Sequence, residues 1–297
     1  MNTKNMLDLI DPSEQKKLFA RRDAIRAGVI AGFSMGSLPM ILAAMAKEVG
    51  AQGTAPSVVD VLQFALKLEY LEAEFYNIAT GAAGQAFPAT YSGSTSAVFN
   101  TTAPKVVFDE IAKHENAHVA LLKTTLTSLG ATPGAKPNFD FTGGHGATTA
   151  GKYNGPFADV FSSQATFLTL SQAFEDTGVR AYKGGAKFLA SNIGVLEAAL
   201  QIHAIEARHA SKVRRLRGEK GWVTVGTNNV PAAAAPVYGA GSPAADYPAE
   251  SNTTQGGVNI TTLAAVSGTV SASAAAESFD EPLDVATVLA IAGLFII

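Results

Sequence analysis

The sequence contains no cysteine in its 297 residues. That absence excludes disulfide bonds, thiol catalysis and zinc sites built from cysteine. Charged residues are also few, at 16% of the chain, and the net charge of −3 leaves no broad basic surface for nucleic acid. Any metal site must therefore use histidine, aspartate and glutamate, a ligand set that suits iron, manganese or zinc.

The N-terminal segment has the features of an export signal. Arg21 and Arg22 precede a mildly apolar run from about residue 27 to residue 46. The run ends in Ala44-Met45-Ala46, a small-x-small step typical of a cleavage site. Paired arginines resemble the twin-arginine type of signal, so residues 1–50 predict export, with removal of the signal, to a bacterial periplasm or cell envelope. A retained membrane anchor and an ordinary helix are the alternatives.

Hydrophobic periodicity predicts four long helices within residues 51–218, and therefore an all-α fold. The predicted helices run from about 57 to 79, 104 to 129, 156 to 189 and 192 to 217. Ser57 and Ser191 are the candidate N-caps of the first and fourth helices. The last two helices share a short connection, which predicts antiparallel neighbours, whereas about 26 residues separate the second from the third. That length is enough to cross a bundle from end to end.

Residues 219–297 form an extension rich in Ala, Gly, Pro and Ser. It ends in a short apolar helix that begins at about Leu283. Because this helix is too short to span a membrane easily, we expect it to dock on the bundle or on a partner chain.

Each predicted helix carries one glutamate in the middle of its apolar stripe, since residues three, four and seven apart share a helix face. The four are Glu69, Glu115, Glu175 and Glu206. Asp176 and Arg180 of the third helix fall on the opposite face and are expected to point to solvent. Burying a carboxylate without a partner costs several kcal/mol, and two divalent cations would offset all four charges. The pattern favours a site for a metal pair, with a structural polar core as the alternative.

Two of the five histidines follow a stripe glutamate by three residues. Glu115 precedes His118 in the second helix, and Glu206 precedes His209 in the fourth. Residues at this spacing project together from a helix, so each helix can give two ligands to one metal.

A weak internal repeat relates the two halves of the bundle. Glu69 is followed seven residues later by Tyr76, and Glu175 is followed seven residues later by Tyr182. A Glu-x-x-His pair comes next in both halves. The repeat predicts a pseudo-twofold relation between the helix pairs and a symmetric two-metal site.

The order Glu, Glu-x-x-His, Glu, Glu-x-x-His on four helices with a long crossover resembles the ferritin-like superfamily. The resemblance covers about residues 57–217 and implies a four-helix bundle that holds two iron or two manganese ions per chain. The implied metal ligands are Glu69, Glu115, His118, Glu175, Glu206 and His209. Within this set, Glu115 and Glu206 are the natural bridging carboxylates.

Two further stretches, "LEYLEAEFY" (68–76) and "FDEPL" (279–283), together with the export signal, resemble bacterial exported ferritin-like proteins of the desiccation-related type. The chain departs from the superfamily in its long connection between the first two helices and in its C-terminal extension. Both departures argue against a hollow iron-storage cage.

Several other side chains are candidates for catalytic roles. Tyr76 and Tyr182 are interpreted as hydrogen-bond partners of the ligands or as redox-active groups, with core aromatics as the alternative. His203 is a candidate seventh ligand or proton carrier, or else a flanking histidine bonded to backbone. Glu72 is either an extra carboxylate at the mouth of the site or an acid paired with a base, and His114 is expected to be peripheral.

The resemblance implies an exported oxidoreductase acting on peroxide, oxygen or ferrous iron, consistent with protection against stress. The alternative is a non-catalytic envelope scaffold or binding protein in which the metal is absent or structural, supported by the long extension. A metal hydrolase is disfavoured because the six ligands fill most coordination positions. We expect no nucleic-acid partner, membrane contact only through an uncleaved signal, and assembly into a homo-oligomer.

Overall fold

The computed structural model of the chain describes residues 55–226, 229–239 and 249–297. All of them lie within one unit of the chain, Ala44–Ile297. The predicted export signal, residues 1–50, lies outside the described residues and stays a prediction.

Four long helices form a bundle, as the sequence predicts. They are α1 (Val58–Thr80), α2 (Thr102–Ser128), α3 (Gln164–Ala186) and α4 (Ile193–Leu216). The ends of α1 follow directly from its sequence. Ser57 and Asp60 form a reciprocal capping box at the start, and Gly81, at φ 76°, ends the helix in the left-handed conformation that glycine adopts readily.

Short elements fill the connections and the extension. Two-residue strands pair antiparallel as β1 (Thr148–Thr149) with β2 (Lys152–Tyr153), and as β3 (Thr254–Gln255) with β4 (Val258–Asn259). The described residues contain two further α-helices, α5 (Ala272–Ala276) and α6 (Val285–Ala292). Single 3₁₀ turns lie at Ala82–Gly84, Ala235–Tyr238 and Ile260–Thr262.

The side-chain contacts fix the directions of the helices. The start of α1 packs with the end of α2, and the end of α3 packs with the start of α4, so both pairs are antiparallel. Tyr76 near the end of α1 contacts Glu175 in the middle of α3. Conversely, Tyr182 near the end of α3 contacts Glu69 in the middle of α1, so helices α1 and α3 are antiparallel as well. Consequently α2 and α3 run in the same direction, and the chain between them must travel the length of the bundle. This confirms the long crossover predicted from the sequence.

Helix α3 begins eight residues later than predicted, at Gln164 rather than Pro156. Residues 156–163 instead form turns whose apolar side chains Phe157, Val160 and Phe161 are buried in the core. Ser163 then caps α3 by accepting a hydrogen bond from the Thr166 amide. The cap of α4 also differs from the prediction, because Asn192 rather than Ser191 accepts from the Val195 amide.

The C-terminal extension covers the outer face of α3, which corrects the prediction that Asp176 and Arg180 point to solvent. Arg180 is fully buried and its Nε lies 2.5 Å from the Glu250 carboxylate, while Asp176 accepts hydrogen bonds from Arg214 and Tyr238. The predicted terminal helix, α6, docks on the bundle: Phe295, just after it, packs edge-on against Phe174 of α3.

Two apolar clusters fill the bundle on either side of its middle. One is rich in phenylalanine, including Phe75, Phe108 and Phe167, and the other is aliphatic, including Leu66 and Leu126. The stripe glutamates lie at the level between them. Among the described residues, none of the helices combines the length and apolar character that crossing a bilayer requires.

Candidate metal centre

Six residues with metal-ligating side chains meet in the middle of the bundle, and none of these residues is more than 8% exposed. They fall into two overlapping groups, in each of which the potential ligand atoms lie within 4.8 Å of one another. Position 1 consists of Glu69, Glu115, His118 and Glu206. Position 2 consists of Glu115, Glu175, Glu206 and His209. Glu115 and Glu206 belong to both groups, which is the placement that bridging carboxylates require.

The two histidines present the same ring nitrogen to the carboxylates. Nδ1 of His118 lies 3.1 Å from oxygens of both Glu69 and Glu115, and 3.2 Å from Glu206. Nδ1 of His209 lies 2.9 Å from Glu115 and 3.2 Å from Glu175. A ring nitrogen binds at most one proton, so one N–H cannot satisfy two or three carboxylates at once. A cation located among these oxygens would interact with all of them.

Three buried carboxylate oxygens test whether a metal pair fits. Within the described residues, Oε1 of Glu115 and both oxygens of Glu206 accept no well-oriented hydrogen bond, and the contacts of Oε1 of Glu115 and Oε1 of Glu206 are to histidine nitrogens shared with other carboxylates. Burying charged oxygens with so few donors is costly. The donor set is four carboxylates and two imidazoles, which suits divalent iron or manganese. Two divalent cations also balance the four carboxylate charges. The residues present therefore fit a two-metal centre.

The glutamates and histidines of the centre strongly shift one another's pKa values. Burial raises the pKa of Glu69 to about 7. Burial acts in the same direction on Glu115, but the neighbouring His118 and His209 outweigh it and lower the pKa of Glu115 to about 2. Burial would lower the pKa of His209, yet Glu175 and Glu115 raise it to about 11. Without metal, protons on the histidines supply the positive charge that the carboxylates require.

Glu69 and Glu175 each belong to one metal position only, and each accepts a hydrogen bond from a tyrosine on the facing helix. The Tyr76 hydroxyl of α1 donates to Glu175 on α3 at 2.5 Å, and the Tyr182 hydroxyl of α3 donates to Glu69 on α1. Both tyrosines are buried. The reciprocal arrangement follows the pseudo-twofold relation in the sequence, and it places both side chains directly behind the candidate ligands.

Glu72 is a fifth carboxylate at the centre. It is 4% exposed, and burial followed by the charges of Glu206 and Glu175 raises its pKa well above the usual range. Gly178 on α3 provides the space for it, because a Cβ atom at that position would lie 3.3 Å from Glu72 Oε1 and 3.1 Å from Glu206 Oε2. The pseudo-twofold relation matches Glu72 with Gly178, so the extra carboxylate has no counterpart in the other half.

His114 is exposed and lies outside both metal-ligand groups, as expected from the sequence, but it contacts a candidate ligand. Its Nδ1 lies 2.9 Å from Nε2 of His209, and the two rings are stacked at 8° between planes. His203 also lies outside both metal-ligand groups. Its buried Nε2 has no hydrogen-bond partner among the described residues, and burial lowers its pKa, with Asp280 and Lys183 as the nearby charges. A role for His203 as a proton carrier stays a prediction.

Sequence reasoning placed Glu72 and His114 at the edges of their stripes, where the assignment depends on the neighbouring helix. The signal that could have identified Glu72 is its match with Gly178, three residues after Glu175, in the internal repeat. A glycine in the middle of a helix indicates that another group approaches closely. For His114 the useful signal was its position four residues before His118, since residues four apart share a face.

Comparison with known proteins agrees with this geometry. A protein-family model described as a ferritin-like domain matches residues 57–219. The matched segment includes all four long helices and every residue of the candidate centre. A search of curated proteins finds no match to the sequence.

Proposed function

This chain belongs to the ferritin-like family, and on that premise we propose that it is a di-metal oxidoreductase holding two iron or two manganese ions. The observation that carries the proposal is the pair of overlapping ligand groups, which share Glu115 and Glu206. Shared carboxylates allow two metals to lie close enough to act on one small molecule. When bound, such a pair supplies reversible electron transfer.

The surrounding residues orient and enclose the reaction site. Tyr76 and Tyr182 hold the outer carboxylates Glu175 and Glu69 from behind. Their hydroxyl groups also provide the nearest protons to these carboxylates. The phenylalanine cluster adjoining Tyr76, with Phe108 stacked on its ring at 5.7 Å, keeps bulk water away from one side.

The burial of the centre limits what can react there. With every candidate ligand at most 8% exposed, only a small species reaches the metals without opening the bundle. Hydrogen peroxide, dioxygen and ferrous ions meet this requirement, so we propose them as the substrate class. The proposed setting is the bacterial periplasm or envelope, with the paired arginines Arg21 and Arg22 directing export.

The test is turnover by protein purified without chelator and loaded with Mn²⁺ or Fe²⁺. Oxygen release from hydrogen peroxide and oxidation of added ferrous iron are measured for the wild type and for Glu115→Gln/Glu206→Gln. The double variant keeps the side-chain shapes while removing the two shared charges. We expect turnover in at least one assay, reduced by about 10²-fold or more in the variant.

A loaded protein that contains two ions yet turns over neither substrate would contradict the proposal. That result would favour the alternative, an envelope scaffold or binding protein with a structural metal. Export is tested separately by replacing Arg21 and Arg22 with lysine in a reporter fusion. Loss of export is expected, because twin-arginine signals require the arginine pair.

A further inference from the structure

The pseudo-twofold relation of the centre is broken by one histidine. We propose that His114 makes the two metal positions unequal, so that position 2, the one containing His209, binds the first ion and binds it more tightly than position 1. The inference rests on the proposed metal site and adds an order of filling. His114 acts as a positioning residue, because it contacts a candidate ligand and not the metal.

The two halves of the site differ directly behind the histidines. The internal repeat matches Glu115 with Glu206, and therefore His114 with Ile205. Nε2 of His209 lies 2.9 Å from Nδ1 of His114. In the described part of the chain, the hydrogen bonds of His118 are made by Nδ1. The isoleucine that the repeat matches with His114 has no side-chain atom that could accept one from Nε2.

The hydrogen bond to His114 selects the form of His209 that binds a cation. Nδ1 of His209 faces the carboxylates of Glu115 and Glu175. To present a lone pair there, the neutral ring must carry its proton on Nε2. The Nε2–H group of His209 then donates a hydrogen bond to Nδ1 of His114. This bond fixes both the tautomer and the ring orientation of His209. Partners of this kind raise the affinity of a metal site by about 10–100-fold.

The stacking of the two rings adds a second restraint on His209. Their centroids are 5.2 Å apart and the planes differ by 8°. Among the aromatic rings of the described residues, the one that pairs with His118 is that of His209, at a centroid distance of 6.5 Å and an angle of 32° between planes. The loss of side-chain freedom on metal binding is therefore smaller for His209 than for His118.

The test is a calorimetric titration of metal-free protein with Mn²⁺ alone. We expect two binding steps for the wild type, with dissociation constants that differ by about tenfold or more. His114→Phe keeps a stacking ring but removes the acceptor, and it should weaken the tighter step by about 10–100-fold while leaving the weaker one unchanged. His114→Asn restores an acceptor near Nδ1 and should recover most of the loss.

Two matched variants show which metal position gives rise to each binding step. His209→Ala should remove the tighter step and His118→Ala the weaker one. Ile205→His introduces an imidazole at the position that the internal repeat matches with His114, and it should tighten the weaker step. Circular dichroism confirms that each variant is folded before titration.

Two equal steps in the wild type, or a His114→Phe variant that affects both steps alike or neither, would overturn the inference. Each of these results leaves the proposed function standing if the loaded protein still turns over peroxide or ferrous iron. Absence of any binding of Mn²⁺ or of Fe²⁺ would overturn both proposals, so the two failures are distinguishable.

Discussion

At the residue scale, the candidate centre depends on side chains that hold the ligands from behind. Tyr76 and Tyr182 cross between α1 and α3 to reach the outer carboxylates, and His114 crosses from α2 to α4. Each contact joins helices that meet at the centre, so the same hydrogen bonds that orient ligands also fix helix spacing. Replacement of one of these residues should therefore change both metal binding and stability.

Tyr76→Phe removes the hydroxyl that donates to Glu175 at 2.5 Å within the buried core. We expect the metal-free protein to lose about 1.5–3 kcal/mol in free energy of unfolding, the usual contribution of a hydrogen bond to a charged group. Urea denaturation measures the change. The control is Tyr70→Phe on the same helix, whose hydroxyl donates to a backbone carbonyl at 3.3 Å. Equal losses in the two variants would contradict the assigned role of Tyr76.

At the element scale, the C-terminal extension acts as part of the bundle wall. The Leu283 amide donates to the carbonyl of Arg180 at 3.1 Å, and Gly184 on α3 allows the two backbones to approach. The "FDEPL" stretch therefore packs directly against α3, on the face opposite Glu175. Asp176, the residue next to Glu175, is held by Tyr238 of the same extension.

Gly184→Ala tests this contact, because a Cβ atom at that position would lie 1.8 Å from the Leu283 carbonyl oxygen. The extension must move away from α3, and we expect a loss of about 1–3 kcal/mol or more. Thermal unfolding and protease sensitivity of residues 249–297 report the change. Gly194→Ala is the matched control: it also lies in a helix, and the nearest atom to its Cβ would be 3.8 Å away. If both variants unfold at the same temperature, the extension does not support the bundle.

At the scale of the whole molecule, the folded metal-free protein binds protons at the centre that the unfolded chain releases. The pKa of His209 is raised to about 11, above its unfolded value of 6.5, by Glu175 and Glu115 in spite of burial. The folded protein then holds a proton that the unfolded chain releases between these pH values. The stability from this group is fully present below pH 6.5 and is lost as the pH rises towards 11. Glu69, with its pKa raised to about 7 by burial, acts in the same direction between 4.5 and 7.

The metal-free protein should therefore become less stable between pH 7 and pH 9, by up to about 1.4 kcal/mol per pH unit for each protonated histidine. Metal ions replace these protons. The stability of the metal-loaded protein should therefore change less with pH, and metal binding should release protons. Thermal unfolding of both forms, and calorimetry in buffers of different ionisation enthalpy, measure the two effects. A metal-free protein whose stability rises over this interval would be inconsistent with protonated core histidines.

Much of the fold and centre could be predicted because they depend on local periodicity. A glutamate on the apolar stripe of a helix, with a histidine three residues later, can be recognised from the sequence of that helix alone. The burial of Asp176 and Arg180 could not be predicted, because it arises from an extension more than fifty residues away in sequence. The contact of His114 depends on how closely α2 approaches α4. Local pattern gives no information on that distance.

The most direct measurement of the central claim is the metal content per chain. Wild-type protein and His118→Ala/His209→Ala, expressed identically and purified without chelator, are analysed by elemental mass spectrometry. The account predicts about two iron or manganese ions per wild-type chain and their loss from the variant. Less than about a tenth of an ion per chain in the wild type, unchanged after reconstitution, would contradict it and leave a bundle with a purely structural polar core.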